Sequence, residues 1–122
     1  MKLSRIILPT SNPRELVGFL SEFLDLEVEK YDDKFLMSFS SLEILVENSP
    51  KKIKGNTTTL EFVVNSKNEV DQLWQKYQFT VYRHAENPIK DAIAPNQIDG
   101  RYFFEAVDID SRRWRFVYNE EE

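Results

Sequence analysis

The sequence predicts an α+β fold built from two βαβββ modules, residues 1–48 and 58–119, joined by a linker over residues 49–57 within a single domain. A shift of 54 positions superposes the halves, placing Leu8 on Phe62, Asn12 on Ser66, Leu16 on Val70, Phe19 on Leu73, Leu20 on Trp74 and Phe23 on Tyr77. Each half also opens with a strand, a capping signal and an amphipathic helix in the same order, and three β-type runs follow each helix. One supersecondary unit used twice accounts for all of this.

RIILPT (5–10), β-branched and aliphatic, reads as the first strand. In SNPRE, Asn12 is an N-cap candidate, Pro13 suits the first helical position and Glu15 completes a capping box. Leu16, Phe19, Leu20, Phe23 and Leu24 then form one apolar stripe, weakened slightly by Gly18. LEVEKY (26–31), KFLMSF (34–39) and LEILVE (42–47) are strands separated by Asp-Asp and Ser-Ser turn signals. Residues 48–57, rich in Asn, Ser, Pro, Gly and Lys, read as the linker, its KKIK run a solvated stretch.

The pattern restarts with TLEFVV (59–64), a second capping box of Ser66 and Glu69, and a helix stripe of Val70, Leu73, Trp74 and Tyr77. FTVYR (79–83), RYFFEAVD (101–108) and RRWRFVY (112–118) are the expected strands, with a polar excursion over residues 84–100. That excursion is long for a structureless connection. Its Ile89, Ala92, Ile93 and Ala94 suggest a flap packed over the sheet.

Composition narrows the function classes. The formal net charge is −5, with acid gathered at Asp32, Asp33 and Glu120 to Glu122, so the basic footprint of a nucleic-acid binder is missing. Zero cysteines exclude disulfides, thiolate metal sites and cysteine nucleophiles. The opening MKLSRIILPTSNP has too short an apolar run for a signal peptide, and no stretch is long enough to cross a bilayer. The expectation is a cytoplasmic protein with a small-molecule partner and neither nucleic acid nor membrane.

RIILPTSN, Phe19-Leu20 and FLDLEV, followed by TLEFVVNS and the DIDSRRWR hairpin with Asp108 and Asp110, resemble in order and spacing the motifs of the vicinal oxygen chelate superfamily. That superfamily includes glyoxalases, bleomycin-resistance proteins, fosfomycin-modifying enzymes and extradiol dioxygenases. The resemblance covers nearly the whole chain and implies one curved mixed sheet, helices on its convex side, and a homodimer. It also implies a divalent metal held by one residue on the first and last strand of each module. Those places fall on Arg5, Glu43, Thr59 and Arg115, the second and fourth related by a shift of 72 (115 minus 43). A guanidinium has five N–H donors and no lone pair, so only Glu43 of these suits a metal, and no cofactor is expected.

Strand alternation sets Ile6, Leu8, Leu60, Phe62, Trp114 and Phe116 beneath the helices and Arg5, Ile7, Thr59, Glu61, Val63, Arg113, Arg115 and Val117 on the opposite face. Two readings follow. Arg5, Glu43, Thr59, Glu61, Arg113 and Arg115 could form a pocket for a small anionic or carbonyl-bearing molecule, through forked guanidinium hydrogen bonds. Alternatively Arg5 and Arg115 pair with Glu43 and Glu61, giving a non-catalytic interaction module with a filled cavity. A metal-dependent lyase, isomerase or dioxygenase would need other ligands, such as His84 with Glu43, Glu61 or Glu105. His84, the single histidine, reads more simply as an exposed loop residue, and no Ser nucleophile has a recognisable context. Asp108 and Asp110 have the spacing of turn residues that bond their own backbone, and Trp74 and Trp114 fit core positions, with ligand stacking a lesser option.

Overall fold

The computed structural model describes residues 1–39, 41–50, 57–84 and 91–120. The chain divides into two compact units, Met1–Lys54 and Gly55–Glu122. The KKIK run and Ile89 lie outside the described residues. Each unit closes its own four-stranded mixed sheet with one helix, so the α+β class and the two βαβββ modules hold, with two sheets in place of the single expected one.

The first unit runs β1 (Arg5–Thr10), α1 (Pro13–Leu24), β2 (Val28–Tyr31), β3 (Lys34–Phe39) and β4 (Leu42–Asn48). Its sheet has the order β1-β4-β3-β2, with β1 parallel to β4 and the remaining pairs antiparallel. Leu16, Phe19, Leu20 and Phe23 of α1 are buried, as are Met37, Ile44 and Val46 of the sheet. Burial of such side chains stabilises by about 1.5–3 kcal/mol each. The Asn12 side chain makes no capping bond; instead Thr10 Oγ1 accepts from the Asn12 backbone N–H at 3.1 Å, and Pro13 opens the helix. At the other end Asp25 takes a left-handed conformation (φ 56°), and both its N–H and that of Leu26 donate to the Ser21 carbonyl.

The second unit runs β5 (Thr59–Val63), α2 (Lys67–Arg83), β6 (Ile93–Ile98), β7 (Arg101–Val107) and β8 (Arg113–Asn119), in sheet order β5-β8-β7-β6. Ser66 caps α2 by accepting from the Glu69 N–H at 3.1 Å, while the Glu69 carboxylate accepts from the Asn65 N–H, one residue before the position a capping box uses. Trp114, Phe104, Phe116 and Tyr77 are its fully buried aromatics. Trp74 is half-buried and packs edge-on against Phe104.

Two expectations fail in this unit. FTVYR is the end of α2, which has 17 residues against 12 in α1. Its β-branched and aromatic content suggested a strand, but no Gly or Pro interrupts the helix, and Val81 extends the buried stripe of Val70 and Tyr77. The strand lies in the supposed flap, at Ile93–Ile98. Pro95, Asn96 and Gln97 hid it, and they are tolerated because β6 is an edge strand with an irregular register between Ile93 and Asn96. Asp99 (φ 53°) and Gly100 (φ 75°) then make the left-handed two-residue turn that feeds β7.

Candidate functional site

In the first unit, parallel pairing sets Arg5 beside Glu43, and antiparallel pairing sets Leu36 beside Leu45 and Tyr31 beside Lys34. Period-two alternation sends these side chains away from the helix. They line an open cleft of about 420 Å³. Arg5 donates from Nε (3.1 Å) and Nη2 (2.8 Å) to one oxygen, Glu43 Oε1. Lys34 Nζ lies 3.8 Å from Glu47. The Tyr31 hydroxyl donates to Glu29 at 2.7 Å, and that bond raises its pKa above the ordinary tyrosine value, so the hydroxyl is a protonated donor at neutral pH. The cleft combines an apolar floor with two cations, each matched by a carboxylate.

In the second unit the corresponding face carries a row of alternating charges. Arg115 stands across from Glu61 on β5 and Glu105 on β7. Its Nη1 reaches Glu61 at 2.9 Å, and its Nε and Nη2 both reach Glu105 Oε2 at 2.7 Å. Arg113 Nη1 donates to the other Glu105 oxygen at 3.2 Å and to the Asp91 carbonyl at 3.0 Å, while Arg101 Nη2 holds Glu61 at 2.7 Å. The Arg115 guanidinium also lies over the Phe103 ring, 5.4 Å from its centre. Thr59 is exposed at the start of β5, opposite Arg113. Val117, expected on this open face, is fully buried.

Glu105 is the residue this row turns on. The sequence reading admitted it only as an alternative metal ligand, and its side chain is 5% exposed. Its signal was a single acid inside the apolar stretch YFFEAV, one strand before Arg113 and Arg115.

The Arg101 guanidinium, seconded by Arg115, holds the Glu61 carboxyl below its ordinary pKa of 4.5 in spite of partial burial. A depressed carboxyl contributes stability above its unfolded pKa and loses it as pH falls through the folded value. Urea midpoints recorded from about pH 6 down to about pH 3 are therefore expected to fall on the acid side, and Glu61→Gln to reduce that fall by the modest share of a solvent-screened pair. An identical slope in the variant would contradict the pairing.

The turn between β7 and β8 is a second polar cluster, and it is internal. Asp108 is fully buried and accepts from the Asp110 N–H (2.8 Å), the Arg112 N–H (3.1 Å) and Trp114 Nε1 (3.0 Å). Arg112, 2% exposed, donates Nη1 to Asp108 and Asp110 at 3.4 and 3.2 Å. Burial pushes the Asp108 carboxyl above its ordinary pKa, while the Trp114 and Arg112 donors pull it back. These acids do the turn chemistry expected of their spacing.

The pairing also corrects the register between modules. Arg5 faces Glu43 and Thr59 faces Arg113, so the residue matching Glu43 is Arg113, a shift of 70 (113 minus 43), and Arg115 matches Leu45. Burial agrees, with Ile44 and Val46 falling on Trp114 and Phe116. Internal symmetry thus gives Arg113 as the counterpart of Glu43, where the hairpin motif implied Arg115, and either residue is a guanidinium. Of the side chains at the implied metal positions only Glu43 is an anionic donor, and a guanidinium offers no lone pair to a divalent cation. Among the described residues no three His, Cys, Asp or Glu side chains group in a metal-binding arrangement. His84, expected in a loop after a strand, caps α2, its N–H donating to the Thr80 and Val81 carbonyls at 3.0 Å.

No protein-family profile matches the sequence, and no curated protein matches it. Solved structures do match in fold. A glyoxalase/bleomycin resistance protein/dioxygenase from Nocardioides has a TM-score of 0.79 at 10% identity, over 99% of this chain and 85% of that one. A glyoxalase/bleomycin resistance protein/dioxygenase family enzyme from Burkholderia phytofirmans PsJN has 0.76 at 14% identity, over 98% and 99%. The fosfomycin resistance protein FosX from Mesorhizobium loti has 0.70 at 11% identity, over 97% and 92%. The chain has the fold of the vicinal oxygen chelate superfamily, and no helix among the described residues is long and apolar enough to cross a membrane.

Proposed function

We propose that this chain uses its glyoxalase-like fold as a metal-independent binding protein for a small anionic or carbonyl-bearing molecule, held in the cleft of the first module. The observation that carries this reading is the cleft of about 420 Å³ in which Arg5, Lys34 and Glu43 stand beside Leu36 and Leu45. Two leucines among convergent polar groups suit a small, polar molecule with a short hydrocarbon part. Arg5 Nη1, left over from the Glu43 pairing, supplies a charged donor for a carboxylate or carbonyl, and the leucines take the hydrocarbon part.

The second module supports a different role for its share of the expected site. Arg115 commits Nε and both terminal nitrogens to Glu61 and Glu105, and Arg113 bonds Glu105 and a backbone carbonyl. Glu61, Arg113 and Arg115 act here as a cross-link between three strands. The ligand-facing set reduces to Arg5 and Glu43, joined by Tyr31 and Lys34.

Thermal-shift screening against small carboxylates, phosphates and aromatic acids tests this directly, because a ligand that binds the native state raises the melting temperature. At least one such acid is expected to raise it, and Arg5→Ala to abolish the rise while Arg115→Ala, although it lowers the starting temperature, preserves it. A shift that survives Arg5→Ala would place the ligand elsewhere.

A further inference from the structure

The way Arg5 and Glu43 meet leaves one hydrogen-bonding atom on each side of the pair. Both donations from Arg5, Nε and Nη2, go to Glu43 Oε1. Among the described residues, Arg5 Nη1 and Glu43 Oε2 have no further partner, and the two side chains are 44% and 41% exposed. The cleft lined by these two side chains therefore has a donor and an acceptor that the pair itself leaves unused, with Leu36 and Leu45 also in its lining.

Charge decides what such a pair can hold. A plain carboxylate approaching Arg5 also approaches Glu43, and the repulsion offsets much of the attraction. Lys34 is partly matched by Glu47 in the same manner. A ligand that carries its own donor next to its carboxylate turns Glu43 from a repulsive neighbour into a hydrogen-bond acceptor. Bonds to charged groups are the stronger ones in this setting.

We infer that the Arg5–Glu43 pair selects acids that carry a hydrogen-bond donor beside the carboxylate: α-hydroxy and α-amino acids, whose carboxylate accepts from Arg5 Nη1 while the adjacent hydroxyl or ammonium donates to Glu43 Oε2. This rests on the proposed use of the cleft and makes Glu43 its specificity-determining residue. The skeleton of the acid lies against Leu36 and Leu45.

Calorimetric titration with mandelate and phenylacetate isolates the effect, since the two differ only in the α-hydroxyl. The full chain is expected to bind mandelate about tenfold more tightly, the size of one charge-assisted hydrogen bond. Glu43→Leu should remove that preference and tighten phenylacetate, because Arg5 then faces the carboxylate alone. Glu43→Gln, of nearly the same shape, should shrink the preference without removing it, which guards against a misfolded leucine variant. Equal affinities in the unaltered chain, or a preference that survives Glu43→Leu, would overturn the selectivity while leaving the cleft as an acid-binding site. No binding of these or any other small acid that depends on Arg5 would overturn the binding proposal itself.

Discussion

Asp108→Ala is expected to cost the second unit about 3–5 kcal/mol, a large part of the 5–15 kcal/mol that holds a typical domain folded. The carboxylate is fully buried and serves two backbone N–H groups, the Trp114 indole and the Arg112 guanidinium. A buried donor that loses its acceptor incurs its full desolvation cost, about 1–3 kcal/mol each. Asp108→Asn keeps one acceptor oxygen and should cost less than half as much. Urea denaturation followed by tryptophan fluorescence reads both, since Trp114 is fully buried beside the lesion. An alanine variant with an unchanged midpoint would mean that the turn is held by something other than Asp108.

Glu105→Gln carries the second large effect, about 2–4 kcal/mol of destabilisation. Its side chain is almost wholly buried and holds Arg113 with one oxygen and Arg115 with the other. An amide retains one acceptor and no charge, so one guanidinium faces an N–H₂ group. Arg113 and Arg115 remain about one-third exposed, and solvent keeps the cost below that of a fully buried pair. The double variant Glu105→Gln with Arg115→Gln should recover part of the loss, as coupled pairs do in a mutant cycle. Strict additivity of the two single changes would dissolve the network into independent contacts.

Much of the fold was legible because it was written twice. The 54-residue shift places Asn12 on Ser66, and the structure starts α1 at Pro13 and α2 at Lys67, positions related by the same shift. Reading failed where composition and tertiary context disagree. FTVYR has strand-forming residues but continues a helical stripe, and IAPNQI has turn-forming residues but lies at a sheet edge, where a missing N–H and a kink are tolerated. For the site, the faces of Arg5, Glu43, Glu61, Arg113 and Arg115 follow from alternation alone. Their partners do not, because strand order and register are long-range facts. A register offset of two residues preserved the face while exchanging Arg115 for Arg113 as the counterpart of Glu43. Tyr31 and Lys34 enter the cleft through the β2–β3 pairing, for which the sequence offered only a two-aspartate turn.

The Asp108 cluster also bears on the order in which the second unit assembles. Its bonds join residues two, four and six positions apart, whereas the Glu61–Arg115 contact that ties β5 to β8 spans 54. Closing short loops forfeits little chain entropy, so the turn and the β7–β8 hairpin around it can form while β5 is still unattached. Asp108→Ala should then slow refolding as well as lower stability. Glu61→Gln, which weakens only the late parallel docking of β5, should act chiefly on the unfolding rate. The buried aspartate is in this sense a kinetic starting point, and the contact of Glu61 with Arg115 a latch that closes last.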